Sequence, residues 1–303
     1  MRRAIITGAT GAIGSALIRE LLKNDIEVLV FTRKDSKRNN VIPKHDLLRI
    51  RYFDLDELCN IQNDDGTEYD IFYHLAWAGT SGSGRNDRDL QEKNITYTLD
   101  AVRCAKRFSC RKFVGVGSQA EYGRKQTALK PQLSCEPENE YGRAKLIAGQ
   151  KAEKLAHELN MAFNWVRVLS IYGPNDNENS LISYAIRELS KQKIPAFTPC
   201  EQIWDYLYSE DAAKAFLKVG EKGIDGKTYV LGSGTTKTLK EYLQILRDVI
   251  APGMELGFGL KPYPEHQVMY LRADISDLTK DTGFLPETDF AEGIKKIVHV
   301  EKA

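Results

Sequence analysis

Over roughly the first 170 residues, short apolar runs alternate with longer stretches in which apolar positions recur every three to four residues. Such alternation predicts a strand–helix repeat, and hence a parallel sheet covered on both faces. The predicted strands are Ala4–Ile6, Glu27–Phe31, Leu47–Phe53, Asp70–Ala76, Lys112–Val116 and Phe163–Val168. Ile13, Leu17, Leu21 and Leu22 fall on one face of the first helix, and long helices are predicted over 87–108 and 140–159. The regularity breaks at the turn signal Tyr172-Gly173-Pro174. Beyond it a polar stretch runs from Asn175 to Asn179, followed by a helix to about Gln192. A short strand at 203–207, a helix at 211–219, a strand at 228–231 and a helix at 239–250 come next. Residues 251–270 are rich in Gly and Pro and read as loops with a short strand, ahead of helices at 275–282 and 291–298. The expected organisation is a doubly wound α/β domain over 1–172, with 203–232 returning to it. A smaller lobe formed by 173–202 and 233–303 caps the C-terminal edge of the sheet, and a cleft between lobes is where a substrate binds.

The turn between the first strand and first helix carries the first chemical signal. It reads Thr7-Gly8-Ala9-Thr10-Gly11-Ala12-Ile13-Gly14, with the glycines in the spacing G-x-x-G-x-x-G. Glycines let the backbone turn tightly and approach a ligand closely, and a helix N-terminus offers unpaired N–H groups to a pyrophosphate. In its strand–turn–helix setting the loop predicts dinucleotide binding.

Composition narrows the partners. The 303 residues are 42% hydrophobic and 28% charged, with a net charge of +1, which gives no reason to expect nucleic acid or a membrane surface. No apolar run reaches the roughly 18 residues needed to span a bilayer, and Met1-Arg2-Arg3 leads into strand and glycine loop rather than a secretory signal. Cys59, Cys104, Cys110, Cys135 and Cys200 are odd in number and scattered, as expected of reduced thiols in a cytoplasmic protein. The histidines lack metal-ligand spacing, and His74, inside an apolar strand, reads as a satisfied core residue.

The end of the second strand bears on cofactor choice. An acidic residue there accepts from the ribose 2′-OH of NAD, whereas a basic one accommodates the 2′-phosphate of NADP. Here the chain reads Phe31-Thr32-Arg33-Lys34-Asp35-Ser36-Lys37-Arg38. Arg33 stands in the discriminating region and no carboxylate stands at the strand end, so NADP(H) is preferred and NAD(H) remains open.

Tyr141-Gly142-Arg143-Ala144-Lys145 puts a phenol and an amine at i and i+4, on one face near the start of a helix. Reduction of a carbonyl needs a proton donor beside a hydride donor. An ordinary tyrosine titrates near 10, so bringing it to about 7 takes roughly 4 kcal/mol. A cation about 4 Å away supplies that much at an effective dielectric near 20. Ser118, just past the fifth strand, adds a hydroxyl able to hydrogen-bond a substrate carbonyl.

The glycine loop, Ser118 and Tyr141-x-x-x-Lys145, in this order and spacing, resemble the short-chain dehydrogenase/reductase superfamily. The chain length, Ser118-Gln119-Ala120-Glu121-Tyr122-Gly123, Tyr172-Gly173-Pro174 and Trp204-Asp205-Tyr206 through Asp211 make it look like the extended branch, the NAD(P)-dependent nucleotide-sugar epimerase/dehydratase family. The resemblance implies Ser118, Tyr141 and Lys145 as the catalytic triad, with Tyr141 the acid/base and Lys145 lowering its pKa and holding the nicotinamide ribose. It implies Gly8, Gly11, Ala12, Ile13 and Gly14 at the pyrophosphate, Asp54 and Leu55 flanking the adenine, and Leu75 and Ala76 on the ribose side. Asn94 would support the cofactor site and Tyr172 would border the nicotinamide. A nucleotide-sugar substrate and a homodimer through the two long helices are further implications.

Departures from the family pattern choose among reactions. The acid pair that sugar 4,6-dehydratases carry after the catalytic hydroxyl is replaced by Gln119 and Ala120, which leaves water elimination without a catalyst. Trp204 stands where many members place an arginine for the substrate diphosphate. Gln119, Asn179, Trp204 and Lys261 are the candidate substrate contacts. With Arg33 marking NADP, the expected reaction is reduction of a keto group, at C4, on a nucleotide-activated sugar. A nucleotide-sugar 4-epimerase, a reductase of small carbonyls and a non-catalytic NADP(H)-sensing regulator are the alternatives.

Overall fold

The computed structural model describes residues 1–302; Ala303, the end of the expected second lobe, lies outside the described residues. Eleven strands and eight α-helices follow one another in the described residues. In chain order they are β1 (Arg3–Thr7), α1 (Ala12–Lys23), β2 (Glu27–Thr32), β3 (Leu48–Tyr52), β4 (Ile71–His74), α2 (Arg88–Arg107), β5 (Lys112–Ser118), α3 (Glu140–Glu158), β6 (Ala162–Val168), β7 (Ser170–Tyr172), α4 (Leu181–Ser190), β8 (Ile203–Trp204), β9 (Tyr206–Tyr208), α5 (Ser209–Lys222), β10 (Thr228–Leu231), β11 (Lys237–Thr238), α6 (Leu239–Ile250), α7 (Ser276–Thr282) and α8 (Phe290–Lys302).

Seven parallel strands form the central sheet, in the order β10-β6-β5-β4-β1-β2-β3. The order reverses between β1 and β4, and in a doubly wound sheet that switch point opens a crevice at the carboxyl ends of the strands. Helices cover both faces. On one, α1 and α5 pack together, and Leu17, Leu21 and Phe216 are wholly buried beneath them. On the other, α2 and α3 cover an aromatic row in which Phe72, Phe113, Phe163 and Trp165 stack with interplanar angles of 15°, 5° and 11°. Trp165 occupies a slot cut by small residues: a Cβ at Gly117 would stand 2.3 Å from its Nε1, and one at Gly149 2.9 Å from its Cε2.

β10 returns to pair with β6, whereas β8 pairs with β11 and β9 with β7, outside the central sheet. A separate core lies outside the central sheet, in which Tyr172, Ile186, Leu189, Tyr242, Leu246, Phe290 and Ile294 are buried together. The strand expected within 251–270 is absent as an element. Ala196 bridges Gly257 and Ile203 bridges Tyr270 as single pairs, because Gly and Pro interrupt any longer ladder. No described helix is long and apolar enough to cross a membrane.

Candidate active site

The glycine loop is held by contacts that exclude larger residues. Gly8 has φ +76°, and a Cβ on it would stand 2.6 Å from the Ala76 nitrogen; one on Gly14 would stand 2.1 Å from the Gly8 carbonyl oxygen. Gly11 differs. A Cβ there would meet only the Gly8 carbonyl oxygen, at 3.7 Å, and Gly11 caps α1 without any side-chain hydrogen bond. Gly11 opens on a cleft together with Gly8, Ala9 and Thr10, directly before the start of α1 at Ala12, whose unpaired N–H groups suit a pyrophosphate.

From that cradle a cleft of about 550 Å³ runs past Gly8, Gly11, Leu75 and Ala76 to Trp77, and in the other direction past Asp54 and Leu55 to Arg33, Ser36 and Arg38. A dinucleotide fits this run of donors and apolar walls. Asp54 is exposed and caps the turn after β3, its carboxylate accepting from the Leu55 N–H at 2.7 Å. Arg33 is exposed at the cleft mouth, and Arg38 donates to the Asn175 carbonyl in the segment after β7. Asn175 in turn donates to Ser15 on α1 at 3.2 Å.

Two buried polar residues fix the turn after β4. Asn94 on α2 grips the backbone of Ala78 at both ends of its amide, accepting at 3.0 Å and donating at 2.9 Å. It is 1% exposed and holds from behind the Ala78 turn that lines the cleft. Gln91 accepts from Trp77 Nε1 at 2.8 Å and donates to the carbonyls of Gly79 and Gly84, at 3.0 and 2.7 Å. His74, also buried, shares a hydrogen bond with Thr7 at 2.9 Å, and burial, helped by the charge of Lys145, pulls it down to about 3, so it is neutral.

Ser118, Tyr141 and Lys145 meet at the carboxyl end of β5. Asn139 caps α3 by accepting from the Gly142 N–H at 2.8 Å, which sets Tyr141 in the first turn. The Ser118 hydroxyl accepts from the Ala120 N–H at 3.2 Å. Lys145 is 3% exposed, donates to the Val116 carbonyl at 2.6 Å and stands 3.7 Å from the centre of the Trp77 ring. Burial pulls Lys145 down to about 7, against the charge of Glu121. Tyr141 is held above the usual tyrosine range by burial, with the Ser118 hydrogen bond and the Arg85 charge acting the other way. The expected lowering of Tyr141 by Lys145 is thus not seen in this structure. The ammonium lies 5.9 Å from the centre of the phenol ring and is engaged by Val116 and Trp77.

Glu121 lies wholly buried under this corner. Its carboxylate accepts from the Ser118 N–H at 2.8 Å, Trp165 Nε1 at 3.0 Å and Arg167 Nε at 2.6 Å. Neither this pair nor Arg85, whose guanidinium carbon stands 4.2 Å above the Tyr141 ring, was legible as part of the site from the sequence.

Other expected positions scatter. The Tyr172 side chain is 1% exposed, packs 4.8 Å from Phe290 and points its hydroxyl at the carbonyls of Asp289 and Phe290, so any place it has at the nicotinamide is through its backbone alone. Gln119 lines a second cleft of about 650 Å³ with Arg85, Arg124 and His266. Trp204 donates to Ser170 at 2.8 Å, Asn179 is exposed in the turn before α4, and Lys261 lies over Tyr184, 4.8 Å from its ring centre. The structure does not bring these last three to the Ser118–Tyr141 corner.

Residues 4–232 match the model of the NAD dependent epimerase/dehydratase family. A CDP-abequose synthase of Salmonella typhimurium is 25% identical over 301 residues, covering 97% of this chain and 96% of its own. Among solved structures, the UDP-N-acetylglucosamine 4-epimerase of Methanobrevibacter ruminantium in complex with UDP-N-acetylmuramic acid superposes with a TM-score of 0.89 at 22% identity, covering all of this chain and 99% of its own. RMD of Pseudomonas aeruginosa complexed with NADPH superposes with a TM-score of 0.81 at 18% identity, covering 99% and 98%. The glycine cradle, the parallel sheet and the Ser–Tyr–Lys corner thus come together in a chain that belongs to the NAD-dependent epimerase/dehydratase family of enzymes.

Proposed function

We propose that the protein is an NADP(H)-dependent reductase of a keto group, at C4, on a nucleotide-activated sugar. The observation that carries this reading is one contact: Trp77, which lines the cleft running from the glycine loop, meets the Tyr141 ring edge-on at 6.1 Å. The nicotinamide, when bound, supplies the hydride. Tyr141 gives its phenolic proton to the developing alkoxide and Ser118 hydrogen-bonds the same oxygen. Lys145 is assigned to the nicotinamide ribose; in the free protein its ammonium is held by Val116 and Trp77, and the charge that favours loss of the Tyr141 proton is that of Arg85. Arg33, Ser36 and Arg38 line the far end of the cleft, where cationic and hydroxyl donors suit a 2′-phosphate. Ser118, Tyr141 and Lys145, the cleft residues from Gly8 to Ala76, and Gln119 at the substrate side are the residues assigned to these roles. Gln119 and Ala120 follow Ser118, and neither supplies the acid or base that elimination of water requires.

A 4-epimerase is the second reading, favoured by the close superposition on the Methanobrevibacter 4-epimerase. Absorbance at 340 nm with 4-keto nucleotide sugars separates the two. A reductase oxidises one NADPH per product, whereas an epimerase converts a nucleotide sugar with no net change. A homodimer through α2 and α3 belongs to the same proposal. Ile95 and Ile147 are half-buried in the groove between these helices, and sedimentation at micromolar concentration tests it.

A further inference from the structure

The N–H donors of Arg85 are the feature of the site that the proposed chemistry leaves unused. Arg85 sits at the end of the turn Gly79–Asn86, which is held from below by Gln91 through the Gly79 and Gly84 carbonyls. Gln91 is 1% exposed and bonded to Trp77, so the turn is pinned to the same frame as the Tyr141 corner. The Arg85 guanidinium stacks over the Tyr141 ring with its carbon 4.2 Å from the ring centre, and one Nη1 N–H is taken by the Thr80 carbonyl at 3.1 Å. A guanidinium carries five N–H donors in one plane, and stacking on an aromatic face leaves the edge of that plane free.

Arg124, the other arginine of this cleft, is held by Glu138 at 2.8 Å. Arg85 has no carboxylate within 4.0 Å among the described residues. It is therefore the unmatched cation of the cleft it shares with Gln119 and Ala120, next to the residue that moves the proton. A free planar fork favours a two-oxygen anion over a single hydroxyl. On a nucleotide sugar that anion is either a carboxylate of the sugar or the diphosphate. The contact of Arg85 with the Tyr141 ring places it within about one sugar ring of the reacting carbon, since hydrogen-bond reach from the phenol is roughly 3 Å.

We infer that Arg85 is a specificity-determining residue that receives a carboxylate borne by the sugar of the substrate, so that the preferred substrate is a nucleotide-activated sugar acid; this rests on the nucleotide-sugar reading above.

The test is calorimetric binding to protein loaded with NADP+. UDP, CDP, GDP and dTDP are titrated first, and the base bound most tightly is then offered as its glucose and its glucuronic acid ester. The expected result is tighter binding of the acid ester, and a loss of about tenfold or more in Arg85→Gln for that ester alone, about 1.4 kcal/mol. Arg85→Lys restores part of the loss, and the glucose ester and bare diphosphate stay within about twofold, as expected for a contact they do not make. Equal losses for all three ligands would assign the anion to the diphosphate and overturn the inference. So would no loss, or preference for the glucose ester. If none of the four diphosphates binds, the nucleotide-sugar reading falls and takes this inference with it; if they bind and Arg85→Gln discriminates nothing, only the inference falls.

Discussion

The ammonium nitrogen of Lys145 stands 3.7 Å from the centre of the Trp77 ring, closer to that indole than to the tyrosine it is expected to serve. Trp77 belongs to the turn after β4 and Lys145 to α3, so this one contact joins the cleft of the glycine loop to the helix that carries Tyr141. A cation on a desolvated indole face contributes about 2 kcal/mol. Trp77→Ala is expected to destabilise the protein by about 1–3 kcal/mol, through lost packing as well as lost attraction. Trp77 lines the cleft whereas Trp165 is buried, so quenching of tryptophan emission by NADPH is expected to fall by more than half in Trp77→Phe. Undiminished quenching would place the dinucleotide elsewhere.

A second prediction concerns pH. Lys145 titrates at about 7 when folded and near 10.5 when unfolded. Between those values the unfolded chain binds the extra proton, so stability rises with pH across that interval and the penalty is fully present below about 7. His74 works in the same direction lower down: folded it titrates at about 3, so stability is lost as pH falls below about 6.5. Lys145→Met is expected to stabilise the protein by about 1–3 kcal/mol near pH 6, with the gain fading toward pH 10, while abolishing turnover. Thermal melts at pH 6 and pH 9.5 check the sign; a gain that grows with pH would contradict it.

The glycines of the cradle make a discriminating pair. Gly14→Ala forces its Cβ against the Gly8 carbonyl and is expected to lower both stability, by about 1–3 kcal/mol, and dinucleotide affinity. Gly11→Ala meets only ordinary contact within the protein. It is expected to cost at most about 1 kcal/mol of stability, the loss of a favourable cap residue, yet to weaken NADPH binding at least as much as Gly14→Ala. Melting curves and cofactor titrations of the two variants, side by side, distinguish space reserved for a ligand from space needed by the fold.

The buried pair beneath Ser118 supplies another prediction. Removing the carboxylate in Glu121→Ala strands the Arg167 guanidinium and frees the Ser118 N–H, at an expected cost of about 3–5 kcal/mol. Glu121→Gln retains an acceptor for Ser118 and Trp165 and is expected to lose less. Urea melts order the three proteins; equal stability of all three would remove Glu121 from the frame of the site.

Much of this arrangement is readable along the chain because its signals are local. The strand–glycine–helix start lies within some twenty residues, and Tyr141 and Lys145 share a helical face. Ser118 ends a strand whose apolar run marks it. The residues that escaped are those whose partners are distant in sequence. Glu121 reads as part of a turn until Arg167, 46 residues on, arrives beside it. Tyr172 carries a clear turn signal, yet its hydroxyl is claimed by backbone 117 and 118 residues later, which no local pattern reports. Arg85 follows a Gly/Ser turn that has no period at all, and its place over Tyr141 depends on the staple made by Gln91.

The central claim, that Ser118, Tyr141 and Lys145 act beside a bound NADP(H) to reduce a sugar carbonyl, is tested most directly by isotope transfer. Protein is incubated with NADPH carrying deuterium at both nicotinamide C4 positions and a panel of 4-keto nucleotide sugars, and the sugar product is analysed by mass spectrometry. One deuterium per product is expected with the wild-type protein, with no product from Tyr141→Phe even though that variant still binds NADPH. Deuterated product formed at an undiminished rate by Tyr141→Phe, or product from the wild-type protein without deuterium, would contradict the account.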